Sequence, residues 1–226
     1  MMLPGTVLLI VFSVFPVIGL WMAFSKYQPV YDRGYFYALF HGAFVGFGFF
    51  EQIFSRPDFL NVVWNTIYIS FVKIVLLIVF GVALALLLNE ISNLRLKKAV
   101  QTIVFIPYFL SWAIMATMII DLLSVDGPIN AFLGLFGIEP ISFLASNRWF
   151  RTVLFVSECW KSLGYQAIYF LAAITCVDVG LYEAAKIDGA GRLARIRYIT
   201  LPSLSNIVAI MLILDMGSMA GTGFDQ

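Results

Sequence analysis

Residues 66–88 read Thr66-Ile-Tyr-Ile-Ser-Phe-Val-Lys73-Ile-Val-Leu-Leu-Ile-Val-Phe-Gly-Val-Ala-Leu-Ala-Leu-Leu-Leu88, 23 residues with a single charge. A helix needs roughly 20 apolar residues to cross about 30 Å of hydrocarbon, so this stretch is a membrane span. Four further stretches meet the same requirement: Thr6–Phe24, Val100–Leu123, Thr152–Val179 and Ser203–Gly221. The five together occupy half of the 226 residues. Composition agrees, with 62% hydrophobic, 16% aromatic and 12% charged residues, where a soluble domain carries about 25% charged. An ordinary cytosolic globular protein and a disordered chain are both excluded. The net charge of +1 supplies no basic field for nucleic acid. Two Cys and one His cannot build a four-ligand zinc site or a disulfide framework. The expected fold class is all-α, a polytopic transmembrane helical bundle forming one domain over residues 1–226.

Orientation follows from the positions of Lys and Arg. Segments 89–99 and 180–202 hold Arg95, Lys97, Lys98, Lys186, Arg192, Arg195 and Arg197, seven basic residues in 34. Segments 25–64 and 124–151 hold Lys26, Arg33, Arg56, Arg148 and Arg151, five in 68. The first pair of loops is therefore cytoplasmic, as is the N-terminus. Met1–Gly5 carries no basic residue and no secretory signal pattern, which suggests a shortened N-terminus. A rival topology makes Tyr35–Phe50 another span with the N-terminus outside. That run has only 16 residues, about 24 Å as a helix, and it contains His41, Gly42, Gly46 and Gly48. Aromatic-rich runs of this kind favour the membrane interface. No internal repeat, linker or soluble domain is evident.

The segment between the fourth and fifth spans is the most informative. It runs Leu181-Tyr182-Glu183-Ala184-Ala185-Lys186-Ile187-Asp188-Gly189-Ala190-Gly191, then on to Ile199-Thr200-Leu201-Pro202. The first part is a good helix former that breaks at Gly189 and Gly191. The second part places Leu193, Ile196 and Ile199 at spacing three, with Arg192 and Arg195 on another face, as in an amphipathic helix. Pro202 closes it and starts the next span. The expected result is a cytoplasmic helix–turn–helix whose small residues (Ala184, Ala185, Gly189, Ala190) admit close approach by another protein. Periodicity alone is equally compatible with a loop resting on lipid headgroups.

The residue pattern itself resembles the EAA loop of ABC importer permeases. Glu183-Ala184-Ala185 is followed after three residues by Gly189, and after nine more by Ile199, with Leu201-Pro202 beyond. Asp188-Gly189-Ala190 is similar to the sugar-type variant. The resemblance extends along nearly the whole chain, through Leu3-Pro4-Gly5, Val45-Gly46-Phe47, Phe54, Pro57-Asp58-Phe59, Asn65-Thr66, Phe105-Ile106-Pro107 and Asp126-Gly127-Pro128-Ile129-Asn130. It is nearest to the oligosaccharide or polysaccharide branch described as LplB-like. The resemblance implies a type I importer permease fold in a bacterial cell membrane, with Tyr35–Phe50 outside rather than spanning. It also implies that a basic tail and a sixth span are missing, since Gly223-Phe224-Asp225-Gln226 look like the outer turn after span five.

The implied function is passage of a carbohydrate, of oligosaccharide type, delivered by an extracellular solute-binding lipoprotein. No Gly is followed by Lys, so the phosphate-binding loop is absent and ATP must be hydrolysed elsewhere. The resemblance supplies two cytoplasmic ATP-binding subunits and a second permease subunit. Glu183, Ala184, Ala185, Asp188, Gly189, Ala190, Leu201 and Pro202 would form the coupling surface, with Glu183 bonding in the ATPase cleft and Gly189 making the turn. Lys73, Asp121, Glu158, Lys161 and Asp215 fall in the outer halves of their spans. Charges there face a bundle interior or water, so a polar vestibule for a neutral, hydroxyl-rich solute is expected, with Glu158 and Lys161 able to pair. Snorkelling to the outer interface is the simpler reading of Lys73 and Asp121. Trp160, Tyr165 and Tyr169 could stack on sugar rings, though packing explains aromatics equally well. No catalytic residue, metal ligand or cofactor site is expected. Cys159 and Cys176 are about 25 Å apart along one helix and cannot bridge, and His41 reads as interfacial. The competing class is a secondary transporter or channel subunit with no ATPase partner, and the EAA spacing discriminates against it.

Overall fold

The computed structural model describes residues 3–27 and 34–218. Arg33, positions 219–221 of the expected fifth span and the Gly223–Gln226 turn lie outside the described residues. The chain divides into two units, Met1–Asn65 and Thr66–Gln226.

In the first unit, α1 (Leu3–Ala23) is 21 residues long and carries no charge. It is followed by a tight return in which Ser25 bridges Phe44. The amide of Lys26 donates to the Ala43 carbonyl and that of Val45 to Phe24, both at 2.8 Å. Two short helices flank the return, α2 (Gly34–His41) and α3 (Gly48–Phe54). Gly46 lies between them at φ +60°, a conformation that L side chains resist. Residues 35–50 therefore do not make one helix.

Most of α4 (Phe59–Glu90) belongs to the second unit. Its 32 residues exceed the expected 66–88, and a helix about 48 Å long projects beyond roughly 30 Å of hydrocarbon. The expected single span Val100–Leu123 is instead broken. Helix α5 (Leu94–Phe105) runs into a tighter turn at Ile106–Phe109, and α6 begins at Trp112 and ends at Leu123. Pro107 has no N–H to give the preceding turn. Leu110 and Ser111 are extended, and the Ser111 hydroxyl caps α6 by accepting from the Ile114 amide at 3.3 Å.

Helix α7 (Pro128–Gly134) precedes the long α8 (Asn147–Thr175). The fourth stretch thus begins and ends about four residues earlier than Thr152–Val179. It then turns by 69° into α9 (Val179–Ile187). Asp178 caps α9, its carboxylate accepting from the Gly180 amide at 2.9 Å. Helix α10 (Arg192–Ser203) meets α11 (Ser205–Ser218) at 52°. Pro202 stands one residue before the end of α10, where the chain bends into α11, in keeping with a residue that closes one helix and opens the next. Among the described residues, three helical stretches (Leu3–Ala23, Phe59–Glu90 and, taking α6 with α7, Trp112–Gly134) are each long and apolar enough to cross a bilayer. Five crossings result if each bent pair counts as one.

The core of this unit joins Ala85 and Leu88 of α4, Phe170, Leu171 and Ile174 of α8, Leu204 at the α10–α11 joint and Met211 of α11. Lipid is as apolar as Leu, so association here rests on close packing rather than on removal from water. Two glycines make that packing possible. A Cβ on Gly164 would stand 2.4 Å from the Val104 carbonyl oxygen, and one on Gly81 would stand 2.9 Å from Gln166 Cγ.

Candidate functional site

The α9–α10 segment is a pinned hairpin. Helix α9 ends in two bonds typical of a left-handed glycine terminus. The Ala190 amide donates to the Ala185 carbonyl at 2.8 Å, and the Gly189 amide to Lys186 at 3.1 Å. Gly189 has φ +79°, and a Cβ there would meet nothing within 4 Å. The spacing from Ala185 to Gly189 and Ala190 thus has a local structural reason, since it closes the helix. At the other end the Tyr182 hydroxyl and Thr200 Oγ1 are bonded at 2.9 Å, with Thr200 buried, which ties α9 to α10. Glu183, Ala184, Asp188, Gly189, Leu201 and Pro202 are exposed, while Ala185 and Ala190 are half-buried. Ile187 is 86% and Leu193 80% exposed at the tip. A tip that holds its shape while presenting two large apolar side chains is suited to docking against another surface.

A second cluster lies between α4, α8 and α11. A cavity of about 400 Å³ is lined by Lys73, Glu158, Ser162, Tyr165, Gln166 and Asp215, among others. Lys73 Nζ is 3.3 Å from Glu158 Oε2, with both side chains largely buried. The Ser162 hydroxyl donates to Glu158 Oε1 at 2.7 Å, and Gln166 Nε2 donates to Asp215 Oδ2 at 3.1 Å. Buried ionic groups survive only when paired and bonded in this way.

Three of the five expected vestibule charges therefore meet, and two do not. Glu158 takes Lys73 rather than Lys161. Lys161 is buried, but its ammonium donates to the Tyr108 and Leu110 carbonyls at the α5–α6 break. Its Nζ is 5.3 Å from the centre of the Trp112 ring. Asp121 is exposed near the end of α6, outside the cavity. Tyr165 stacks face to face on Tyr108 at 4.2 Å and its hydroxyl bonds to that of Tyr169. Trp160 lines two apolar grooves instead. Tyr108, Ser70, Ser162 and Gln166 were not legible as cavity residues. Uncharged groups at helical spacing carry no signal until the neighbouring helix is known.

On the other side of α6, Asn130 organises the connection to α8. Its Nδ2 donates to the Ser124 and Ile141 carbonyls and its Oδ1 accepts from the Ile141 amide, each at 2.9 Å. Gly127 has no room for a side chain, since a Cβ would lie 2.7 Å from the Asp121 carbonyl oxygen. His41 stacks on Tyr37 and its Nδ1 lies 3.2 Å from that residue's carbonyl. Both cysteines are free, and among the described residues no group of His, Cys, Asp or Glu could hold a metal ion.

Bent apolar helices around a small polar cavity, with a pinned hairpin projecting from one end, define a polytopic membrane transport subunit. Residues 77–224 match the family described as binding-protein-dependent transport system inner membrane component, and the chain belongs to that family. Over its full length it is 38% identical to the polygalacturonan/rhamnogalacturonan transport system permease protein YteP of Bacillus subtilis (strain 168), covering 69% of that protein. It is 35% identical to Protein LplB of the same strain, again over its full length and 70% of the relative. The fold is similar to a crystal structure of a bacterial ABC transporter involved in the import of the acidic polysaccharide alginate. That likeness has a TM-score of 0.84 and 32% identity, covering 99% of this chain and 73% of the other. The protein is thus a permease component of the bacterial cell membrane that works with a binding protein, and its family is one of transport subunits rather than catalytic enzymes.

Proposed function

We propose that this chain forms half of the membrane path of an ATP-driven carbohydrate importer and that the α9–α10 hairpin is where an ATP-hydrolysing subunit grips it. The observation that carries the coupling reading is the hairpin itself. It is closed at Gly189, tied at Tyr182–Thr200, and exposes Ile187 and Leu193. A rigid lever transmits displacement where a floppy loop would absorb it. Displacing the hairpin moves α10, whose joint with α11 packs Leu204 into the Ala85, Phe170 and Ile174 core. Motion at the tip can therefore reach α4 and α8, which line the polar cavity.

The remaining roles follow from that placement. Glu183 supplies an exposed carboxylate for a partner cation or amide, and Ala184, Ala185 and Ala190 keep the surface low. Asp188, Leu201 and Pro202 complete the coupling surface. The density of basic residues places this hairpin in the cytoplasm. The assembly would comprise this permease, a second permease subunit, two ATP-binding subunits and an extracellular solute-binding lipoprotein. Carbohydrate as cargo is supported by relatives named for polygalacturonan, rhamnogalacturonan and alginate. The cavity walls add hydroxyl, amide and carboxylate groups suited to bonding a polyol. The test is site-directed cross-linking in the assembled complex from a cysteine placed at Glu183 or Lys186. Capture of the ATP-binding subunit is expected, and capture of lipid alone would overturn the assignment of the hairpin.

A further inference from the structure

Resting on the carbohydrate reading, we propose that the polar cavity selects neutral glycans and disfavours those bearing carboxylates. The proposal comes from how the structure redistributes charge. The sequence puts two lysines, Lys73 and Lys161, in the outer halves of the spans together with three acids, Asp121, Glu158 and Asp215. Lys161 is turned away, its ammonium donating to the Tyr108 and Leu110 carbonyls where α5 ends, and it does not line the cavity. Lys73 is the one cation among the lining residues, and Glu158 holds it at 3.3 Å. Asp215 adds a second carboxylate from α11, bonded to Gln166.

The lining therefore carries one positive group against two acids. Its formal charge is −1 with Asp215 ionised and zero with Asp215 protonated. Neither state offers surplus positive charge to a bound carboxylate. Arg151, the nearest other cation on α8, precedes Glu158 by seven residues, about 10 Å of helix, and lies over the Tyr68 ring. In a site shielded by lipid and protein a carboxylate brought beside Glu158 and Asp215 is repelled more strongly than in water. A hydroxyl is not, because it can donate to either acid or bond with Ser70, Ser162, Gln166 and the Tyr165 hydroxyl. The chain would thus differ in cargo charge from the similar structure involved in import of acidic alginate.

The experiment uses a matched pair, a galacturonate trisaccharide and its carboxyl-reduced counterpart in which each carboxyl is converted to hydroxymethyl. Direct binding is measured to the solubilised permease–ATPase assembly without the binding protein, whose own preference is then not read. The neutral sugar is expected to bind at least tenfold more tightly, about 1.4 kcal/mol. Asp215→Asn keeps an acceptor for Gln166 and removes the second acid, so the ratio shrinks by whatever share an ionised Asp215 supplies, while the preference for the neutral sugar remains. Equal or tighter binding of the galacturonate overturns the proposal. Binding of neither sugar by an assembly that still imports carbohydrate overturns the cavity as a solute site. Failure to import any carbohydrate overturns the underlying reading instead.

Discussion

Replacement of Gly189 separates the hairpin's own stability from its contact with a partner. At φ +79° an L side chain costs roughly 1–2 kcal/mol, a factor of about 5–30 in the population of the closed tip. Sterically the position is empty, since nothing lies within 4 Å of a Cβ, so the chain itself would accommodate a larger residue. Any loss beyond that factor must come from the surface that seats against the tip. Three variants resolve the two effects. Gly189→Asn tolerates the left-handed backbone but adds bulk. Gly189→Ala adds strain with little bulk, and Gly189→Val adds both. Uptake and ATP hydrolysis are measured together on the reconstituted assembly, alongside the amount of chain inserted in the membrane. Insertion should be unchanged in all three. Uptake per ATP hydrolysed should fall modestly for Ala, and by more than tenfold for Val. The Asn variant should lie with Val if contact dominates, and with Gly if backbone strain is the whole effect. Normal uptake by Gly189→Val would refute the reasoning.

Three further substitutions probe the bundle. Asn130→Ala removes three buried bonds to Ser124 and Ile141, and at about 1 kcal/mol each should lower stability by roughly 3 kcal/mol. Accelerated proteolysis between residues 124 and 141 is the expected readout, and an unaltered digestion pattern would count against the role given to Asn130. Lys161→Met leaves the Tyr108 and Leu110 carbonyls without their donor, an expected loss of about 2–3 kcal/mol. Thermal melting of the purified assembly checks it, and Lys161→Arg should recover part of the loss. Gly164→Ala places a methyl 2.4 Å from the Val104 oxygen, so α5 and α8 must part by about an ångström. Overpacking of that kind costs about 1–3 kcal/mol, and a melting temperature equal to that of the unaltered protein would show that the crossing is looser than drawn.

The apolar helices and the turn at Gly189 were legible because their signals are local. Twenty apolar residues, or a fixed Ala–Gly spacing, constrain the backbone without reference to distant residues. The break at Leu110 was half legible, since Pro107 forbids one helical bond but does not say whether a helix kinks or stops. What decides is Lys161, 51 residues further along, whose ammonium takes the carbonyls freed by the break. The same non-local choice misled the pairing of Glu158. A carboxylate three residues from a lysine on one helix has that partner available at short range, yet α4 brings Lys73 nearer. Charges in spans can be found by composition, but their partners depend on helix crossings. Those crossings are set by small residues such as Gly81 and Gly164, whose meaning appears only when the opposing helix is in place.

The central claim is that this chain conducts carbohydrate only when an ATP-hydrolysing partner works its hairpin. The direct measurement is uptake of labelled oligosaccharide into proteoliposomes containing this permease and its partner permease, with the binding protein outside. The ATP-binding subunits and ATP are then included or withheld. Uptake against a gradient that requires both, and that disappears in Gly189→Val while ATP hydrolysis continues, is the predicted result. Accumulation by the permease pair with neither present would contradict the account.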